Sequence, residues 1–151
     1  MLGTLNQTEM EAILYDHFLG RIACRDGNEI YIVPITYCYK DGVVICHSYE
    51  GRKLHMMRNT PEVGFEVEEI NDHQHWKCIH ARGLFEEITD PMKLAEAKQL
   101  LSESALNRKA SLSSLPPAET ASGGITRPHG PSVFFHIRLF NLTGRFENAL
   151  S

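Results

Sequence analysis

The sequence predicts a mainly β domain with flanking helices, of the α+β class, whose antiparallel strands close into a barrel or a sandwich. Three observations carry that expectation. Apolar residues recur with a period of two over most of Gly20 to Ile88 and again from Val133 to Phe146. Tight-turn signals at Asp26-Gly27-Asn28 and Lys40-Asp41-Gly42 join successive runs, whereas parallel strands would need longer crossovers. The 151 residues, 42% hydrophobic and 23% charged, suit one domain with one core over residues 1–151.

Each element has its own signal. Thr8 to Phe18 spaces Met10, Ile13, Leu14 and Phe18 as one helix face, with Thr8 as N-cap and Glu11 three residues on as a capping box. Gly20 to Asp26 alternates through Ile22 and Cys24, and Glu29 to Tyr39 is rich in β-branched and aromatic residues. Pro34 inside that run predicts an edge, a bulge or a kink. A strand over Val43 to His47 follows, then a short helix over Glu50 to Arg58 that Asn59-Thr60-Pro61 stops. Val63 to Ile70 alternates as a half-buried strand, and His75 to Ile88 is a longer one with Gly83 as its expected bulge. Asp90-Pro91 opens a helix to about Leu106, with Met92, Ala95, Leu100 and Leu101 as its apolar face. Asn107 to Pro131 reads as a loop, disordered or serving as a lid, rich in Ser, Pro, Gly and Ala. The count is about six strands, with helices before, between and after them.

Composition excludes several classes. No apolar run has the ~18–20 residues of a membrane helix, and Met1 to Glu11 lacks the pattern of a signal peptide. The formal net charge of −4 argues against nucleic acid as the main partner. Cys24, Cys38, Cys46 and Cys78 show neither CxxC nor disulfide-dense spacing, so reduced thiols in a cytoplasmic protein are expected. There is no Gly-x-Ser-x-Gly elbow, no Walker loop and no Gly-x-Gly-x-x-Gly fingerprint. His73, His75 and His80 fall near one strand, but nothing in their spacing completes a zinc site, and no metal is expected.

The informative segment is His47-Ser48-Tyr49-Glu50-Gly51-Arg52-Lys53, where a strand gives way to a helix. A helix N-terminus offers unpaired N–H groups to a phosphate, and Arg52 and Lys53 add a fork and a point charge. From spacing alone, a solvated basic pair after a turn is the commoner reading of such a segment. His47 is a proton donor near a ligand or simply a histidine ending a strand. Trp76 is core or the wall of a planar site.

Taken together, Gly20-Arg21-Ile22-Ala23, Val33-Pro34-Ile35-Thr36-Tyr37-Cys38-Tyr39, Asp41-Gly42, His47-Ser48, Gly51-Arg52-Lys53, Asn59-Thr60-Pro61-Glu62-Val63 and Phe65-Glu66-Val67 resemble the FMN-binding split-barrel superfamily. Within it they are most similar to the flavoproteins related to pyridoxamine 5′-phosphate oxidase, especially the nitroimidazole-resistance group. The resemblance covers Leu14 to Ile88, with a weaker echo at Val133 to Phe146 that includes Leu142-Thr143-Gly144-Arg145.

The resemblance implies a six-stranded antiparallel split β-barrel that forms a homodimer and binds FMN, or FAD, at the dimer interface. It implies that Arg52 and Lys53 hold the flavin phosphate with help from Ser48 and the helix N-terminus. Val33, Pro34, Ile35 and Thr36 would lie along the flavin ring. His47 would handle protons beside the ring, and Trp76 would reach the partner subunit's flavin. The arginine and histidine motif with which true pyridoxamine phosphate oxidases grip their substrate has no counterpart at Arg145-Phe146-Glu147. Gly51 also stands where those oxidases carry serine. The expected function is therefore a flavin-dependent oxidoreductase with a nicotinamide or similar electron donor and a nitro-aromatic or quinone-like acceptor. The alternatives are a non-catalytic flavin-storage module or a haem or deazaflavin binder on the same barrel.

Overall fold

A computed structural model describes residues 1–108 and 131–149. In chain order the elements are β1 (Leu2–Thr4), α1 (Gln7–Asp16), β2 (Leu19–Asp26), β3 (Glu29–Lys40), β4 (Val43–Tyr49), α2 (Arg52–Asn59), β5 (Glu62–Asp72), β6 (His75–Glu87), α3 (Pro91–Arg108) and β7 (Ser132–Glu147). The strand order is β1-β7-β4-β3-β2-β5-β6, every pairing is antiparallel, and β6 pairs back onto β7. Six long strands therefore close on themselves, and the short β1 adds to β7 at the margin. The short β1 is a seventh strand that periodicity could not reveal, because three residues carry no measurable period.

The two hairpins form where the turn signals stand. Gly27 has φ +59°, and Asp41 and Gly42 have φ +50° and +79°, the left-handed pair that matches the twist of a two-residue hairpin. The first helix begins two residues earlier than the Thr8 cap predicts. Asn6 is the N-cap: its Oδ1 accepts from Glu9 N at 2.8 Å, and Glu9 Oε1 accepts from Asn6 N at 3.1 Å. Both boxes are present in the sequence; burial decides between them. The Asn6 cap puts Leu5 before the cap and Met10 in the first turns, and both pack against Gly144 in the core.

Two further expectations are corrected. Gly83 is not bulged; it pairs with Val63 and Leu139 in register. The extra residue lies on β7, where His80 faces Thr143 but Arg82 faces Phe140, and Asn141 takes the left-handed φ of +51°. Gly83 is needed for contact instead, since a Cβ there would lie 2.3 Å from Ile137 Cγ2. The α3 face also differs. Ala97, Leu101 and Ala105 are buried while Met92 is 83% exposed, so the alanines let the helix sit close to the sheet. Asp90 does cap it, accepting from Lys93 N at 3.0 Å. Of the loop expected over Asn107 to Pro131, Asn107 and Arg108 belong to α3, and residues 109–130 lie outside the described ones.

The core has two parts. The larger fills the barrel and its ends, with Leu14, Ile22, Tyr37, Val44, Cys46, Phe65, Ile79 and Phe135 inside. α1 contributes Met10 and Ile13, and α2 contributes Leu54, Met56 and Met57, so these helices plug the barrel. Tyr37 donates its hydroxyl to Leu14 O at 2.8 Å, which ties α1 to the interior. The smaller part lies outside, where Ile45, Ile88 and Phe134 meet Ala97 and Leu101 of α3. All four cysteines are free thiols, Cys24 and Cys46 buried. Among the described residues no helix is long and apolar enough to cross a membrane.

Candidate functional site

The site begins with a pairing that stops short. β3 and β4 pair only from Tyr37↔Cys46 to Lys40↔Val43. Beyond that point β3 residues 29–36 pair with β2 alone, and β4 residues 47–49 pair with β7 alone. Two strands thus diverge, each with one edge lacking a strand partner among the described residues. This is the split of the barrel. Pro34 lies in the diverging half of β3, opposite Arg21 in unbroken register. A missing N–H costs least in a stretch with a ladder on one side only, so the proline marks an edge within a central strand.

Alternation sorts the residues around the split. On β3, Val33 and Ile35 point with Tyr37 toward the barrel, and Pro34 and Thr36 point outward with the exposed Ile30 and Ile32. On β4, Val44 and Cys46 belong to the barrel core, and Ser48 shares their parity. His47 takes the outward side with Ile45. Its ring, 3% exposed, packs between Tyr49 and Phe134 with centroids at 5.2 and 4.7 Å. The structure therefore brings His47 onto the same face as Pro34 and Thr36. It separates His47 from its neighbour Ser48, whose hydroxyl donates to Tyr49 O at 3.3 Å.

α2 starts at the mouth of this split. Its N-cap is Gly51, which has no side chain to satisfy the first-turn N–H groups. The helix is clamped at its other end. Arg58 donates to both carboxylate oxygens of Glu50 at 2.7 Å and reaches Glu87 Oε1 at 3.0 Å, which raises its own pKa and lowers that of Glu50. Glu50 lies in the linker before the cap, so the clamp holds that linker as well.

Arg52 and Lys53 diverge. The Arg52 guanidinium lies 4.4 Å over the Tyr31 ring, with one nitrogen 3.3 Å from Glu29 Oε2, so it leans on the diverging half of β3. Lys53 turns inward and is half-buried; burial pushes its pKa down, and the groups acting against that are the thiols of Cys46 and Cys24. No carboxylate is paired with it among the described residues.

Trp76 is elsewhere. It pairs with Ile70 and Glu147, and its indole N–H donates to Glu147 Oε2 at 2.9 Å. It lines an open cleft of about 650 Å³ with Glu68, Ile70, Lys77 and Cys78. His47 pairs with Phe134 on the same β7, thirteen residues before Glu147, or about 40 Å of extended strand. Within one chain Trp76 does not join the other candidates. His73, His75 and His80 form no metal cluster among the described residues, and His75 is held by Asp72 at 2.8 Å.

A model for pyridoxamine 5′-phosphate oxidase matches residues 6–128. The chain belongs to that family. A curated relative, the uncharacterized protein RA0666 of Rhizobium meliloti, is 30% identical over 84 residues, and the match spans 56% of each chain. A FAD-binding protein from Mesorhizobium loti is similar in structure at TM-score 0.75 and 26% identity, over 99% of this chain and 98% of that one. A candidate 5-nitroimidazole antibiotic resistance protein from Bacteroides thetaiotaomicron shares the fold at TM-score 0.68 and 16% identity, over 97% and 89%. The fold is thus the split barrel of the pyridoxamine 5′-phosphate oxidase family.

Glu29 and Tyr31 were not among the residues singled out from sequence, although both contact Arg52. The available signal was parity: both alternate with Val33 on β3. Glu147, which fixes the Trp76 indole, had no signal at all.

Proposed function

We propose that the chain binds a flavin at the β3–β4 split and works as a flavin-dependent oxidoreductase. The observation that carries this reading is the meeting of two things at one place: diverging strand edges that have no strand partner on one side among the described residues, and an uncapped helix N-terminus bearing Arg52 and Lys53. The donor set fits a phosphorylated flavin. First-turn N–H groups and Arg52 suit the phosphate. The backbone of Val33 to Thr36 suits the polar edge of the ring, and the outward Pro34, Thr36 and His47 suit its face. The ring supplies the electron-transfer chemistry; the protein binds it, orients it and sets its surroundings. Half-buried Lys53, with no carboxylate to neutralise it among the described residues, adds positive charge there. His47 is the residue we assign to proton handling.

FMN is the cofactor proposed from the family, and FAD is the one named for the Mesorhizobium loti protein. A homodimer is proposed because Trp76 lies at the far end of β7, so it lines a flavin site only when that site belongs to a partner copy. A nitro-aromatic or quinone-like acceptor and a reduced nicotinamide donor are the proposed substrates.

The test starts with the absorbance spectrum of freshly purified protein and chromatography of whatever heat releases. About one flavin per chain is the expected result. Arg52→Ala with Lys53→Ala is expected to lower flavin affinity at least tenfold, because charge-assisted hydrogen bonds contribute roughly 1.5–3 kcal/mol each. A colourless protein that takes up neither FMN nor FAD overturns the reading.

A further inference from the structure

Arg52 is already occupied. Its guanidinium donates to Glu29 Oε2 through one nitrogen at 3.3 Å, while Tyr31 supports its plane from below at 4.4 Å. That is one long contact between two exposed groups, the Arg52 side chain 56% and the Glu29 side chain 70% accessible. A guanidinium fork prefers two parallel bonds to a planar or tetrahedral anion. Glu29 therefore holds the fork loosely, in an arrangement that a better anion replaces. Asp26 faces Glu29 directly across the β2–β3 hairpin and accepts from Asn59 Nδ2 at 3.4 Å. The mouth of the split thus carries acidic groups beside its basic ones.

We propose that Glu29 is a charge-selective competitor for Arg52, one that disfavours a dianionic phosphate monoester relative to a phosphodiester. The inference rests on the flavin reading above and names what selects among flavins. A ligand phosphate must displace the Glu29 carboxylate and then sit beside it. The repulsion scales with the charge on the phosphoryl group that Arg52 holds. The terminal phosphate of FMN carries close to two negative charges above its second pKa near 6. Each phosphoryl group of the FAD pyrophosphate carries one, and riboflavin carries none. Glu29 consequently penalises FMN most, FAD less and riboflavin not at all. Tyr31 is the positioning residue of the pair, since it keeps the guanidinium plane in place after Glu29 has left.

The experiment measures the dissociation constants of FMN, FAD and riboflavin for the flavin-stripped full-length protein and for Glu29→Gln. Glu29 is exposed and makes one weak ion pair, so the variant folds like the parent, which a matching melting temperature checks. The substitution is expected to tighten FMN about 1.5- to fivefold at pH 7.5, the range of exposed charge pairs. FAD should tighten less, and riboflavin should not change. At pH 5, where the FMN phosphate is a monoanion, the FMN gain should shrink toward that for FAD. Equal changes for all three flavins, or an unchanged FMN constant, overturn the proposal. If the parent protein binds none of them, the flavin reading itself falls and takes this one with it, an outcome distinct from binding without discrimination.

Discussion

Arg52 and Lys53 are neighbours in sequence but face different surroundings. The helix turns about 100° between consecutive residues, so one basic side chain reaches Tyr31 and Glu29 while the other enters the barrel beside Cys24 and Cys46. A basic dipeptide was legible from the sequence; its division into an exposed fork and a half-buried ammonium was not. The same holds for His47 and Ser48, which alternation sends to opposite faces of β4. Gly83 shows a residue whose reason changed. Gly83→Ala should lower stability by about 1–3 kcal/mol, because its Cβ would lie 2.3 Å from Ile137 Cγ2 inside the closed barrel. Chemical denaturation of the variant beside the parent measures it. A loss well below that range would mean that the β6–β7 seam adjusts easily.

At the scale of elements, local signals located every long strand and all three helices, and their errors concerned boundaries, the place of one bulge and the buried face of α3. The first helix is the instructive case. Thr8 and Asn6 each stand three residues before a glutamate, so capping chemistry alone did not choose. The choice came from Leu5 and Met10, which the Asn6 cap brings together in the core. Asn6→Ala is therefore expected to cost about 1 kcal/mol of stability, and Thr8→Ala only a few tenths. Thermal melts of the two variants separate the caps, and equal losses would count against the Asn6 assignment. For α3 the sequence singled out Met92, Ala95, Leu100 and Leu101; Leu101 is buried, but Ala97 and Ala105 flank it in place of Met92. Close approach favours small side chains there, and period alone does not say which alanines face the sheet.

The whole molecule has two packed regions of different character. The barrel core is continuous and includes α1 and α2, while α3 is held on the outside by a small cluster with a cleft of about 250 Å³ beside it. His136 lines that cleft, and burial lowers its pKa from the ordinary 6.5. Glu86 from β6, Arg138 from β7, and Lys93 and Glu96 from α3 face it, with Lys40 and Asp41 lining the same cleft. A histidine with a lowered folded pKa contributes stability above its unfolded pKa. That contribution is lost as the pH falls from about 6.5 through the lowered folded value, because the unfolded chain takes up the proton first. The melting temperature should drop over that window, and His136→Gln should flatten this part of the profile. An unchanged slope in the variant would assign the acid sensitivity to other groups.

What the sequence by itself determined is local: the alternating runs, the two hairpin turns, the helix starts, and the strand-to-helix junction that carries Ser48, Arg52 and Lys53. Each of these depends on residues within a few positions of one another, where side-chain period and turn chemistry act directly. The resemblance to the split-barrel flavoproteins added the topology. The tertiary structure alone decided where β3 leaves β4, which face of the sheet holds His47, and which carboxylate occupies Arg52. It also placed Trp76 at the far end of β7 from His47. These features are set by the register between strands distant in the chain, and a shift of one residue in register would turn every side chain to the other face. Local periodicity says that a residue faces one side or the other; only the closed barrel says what waits there.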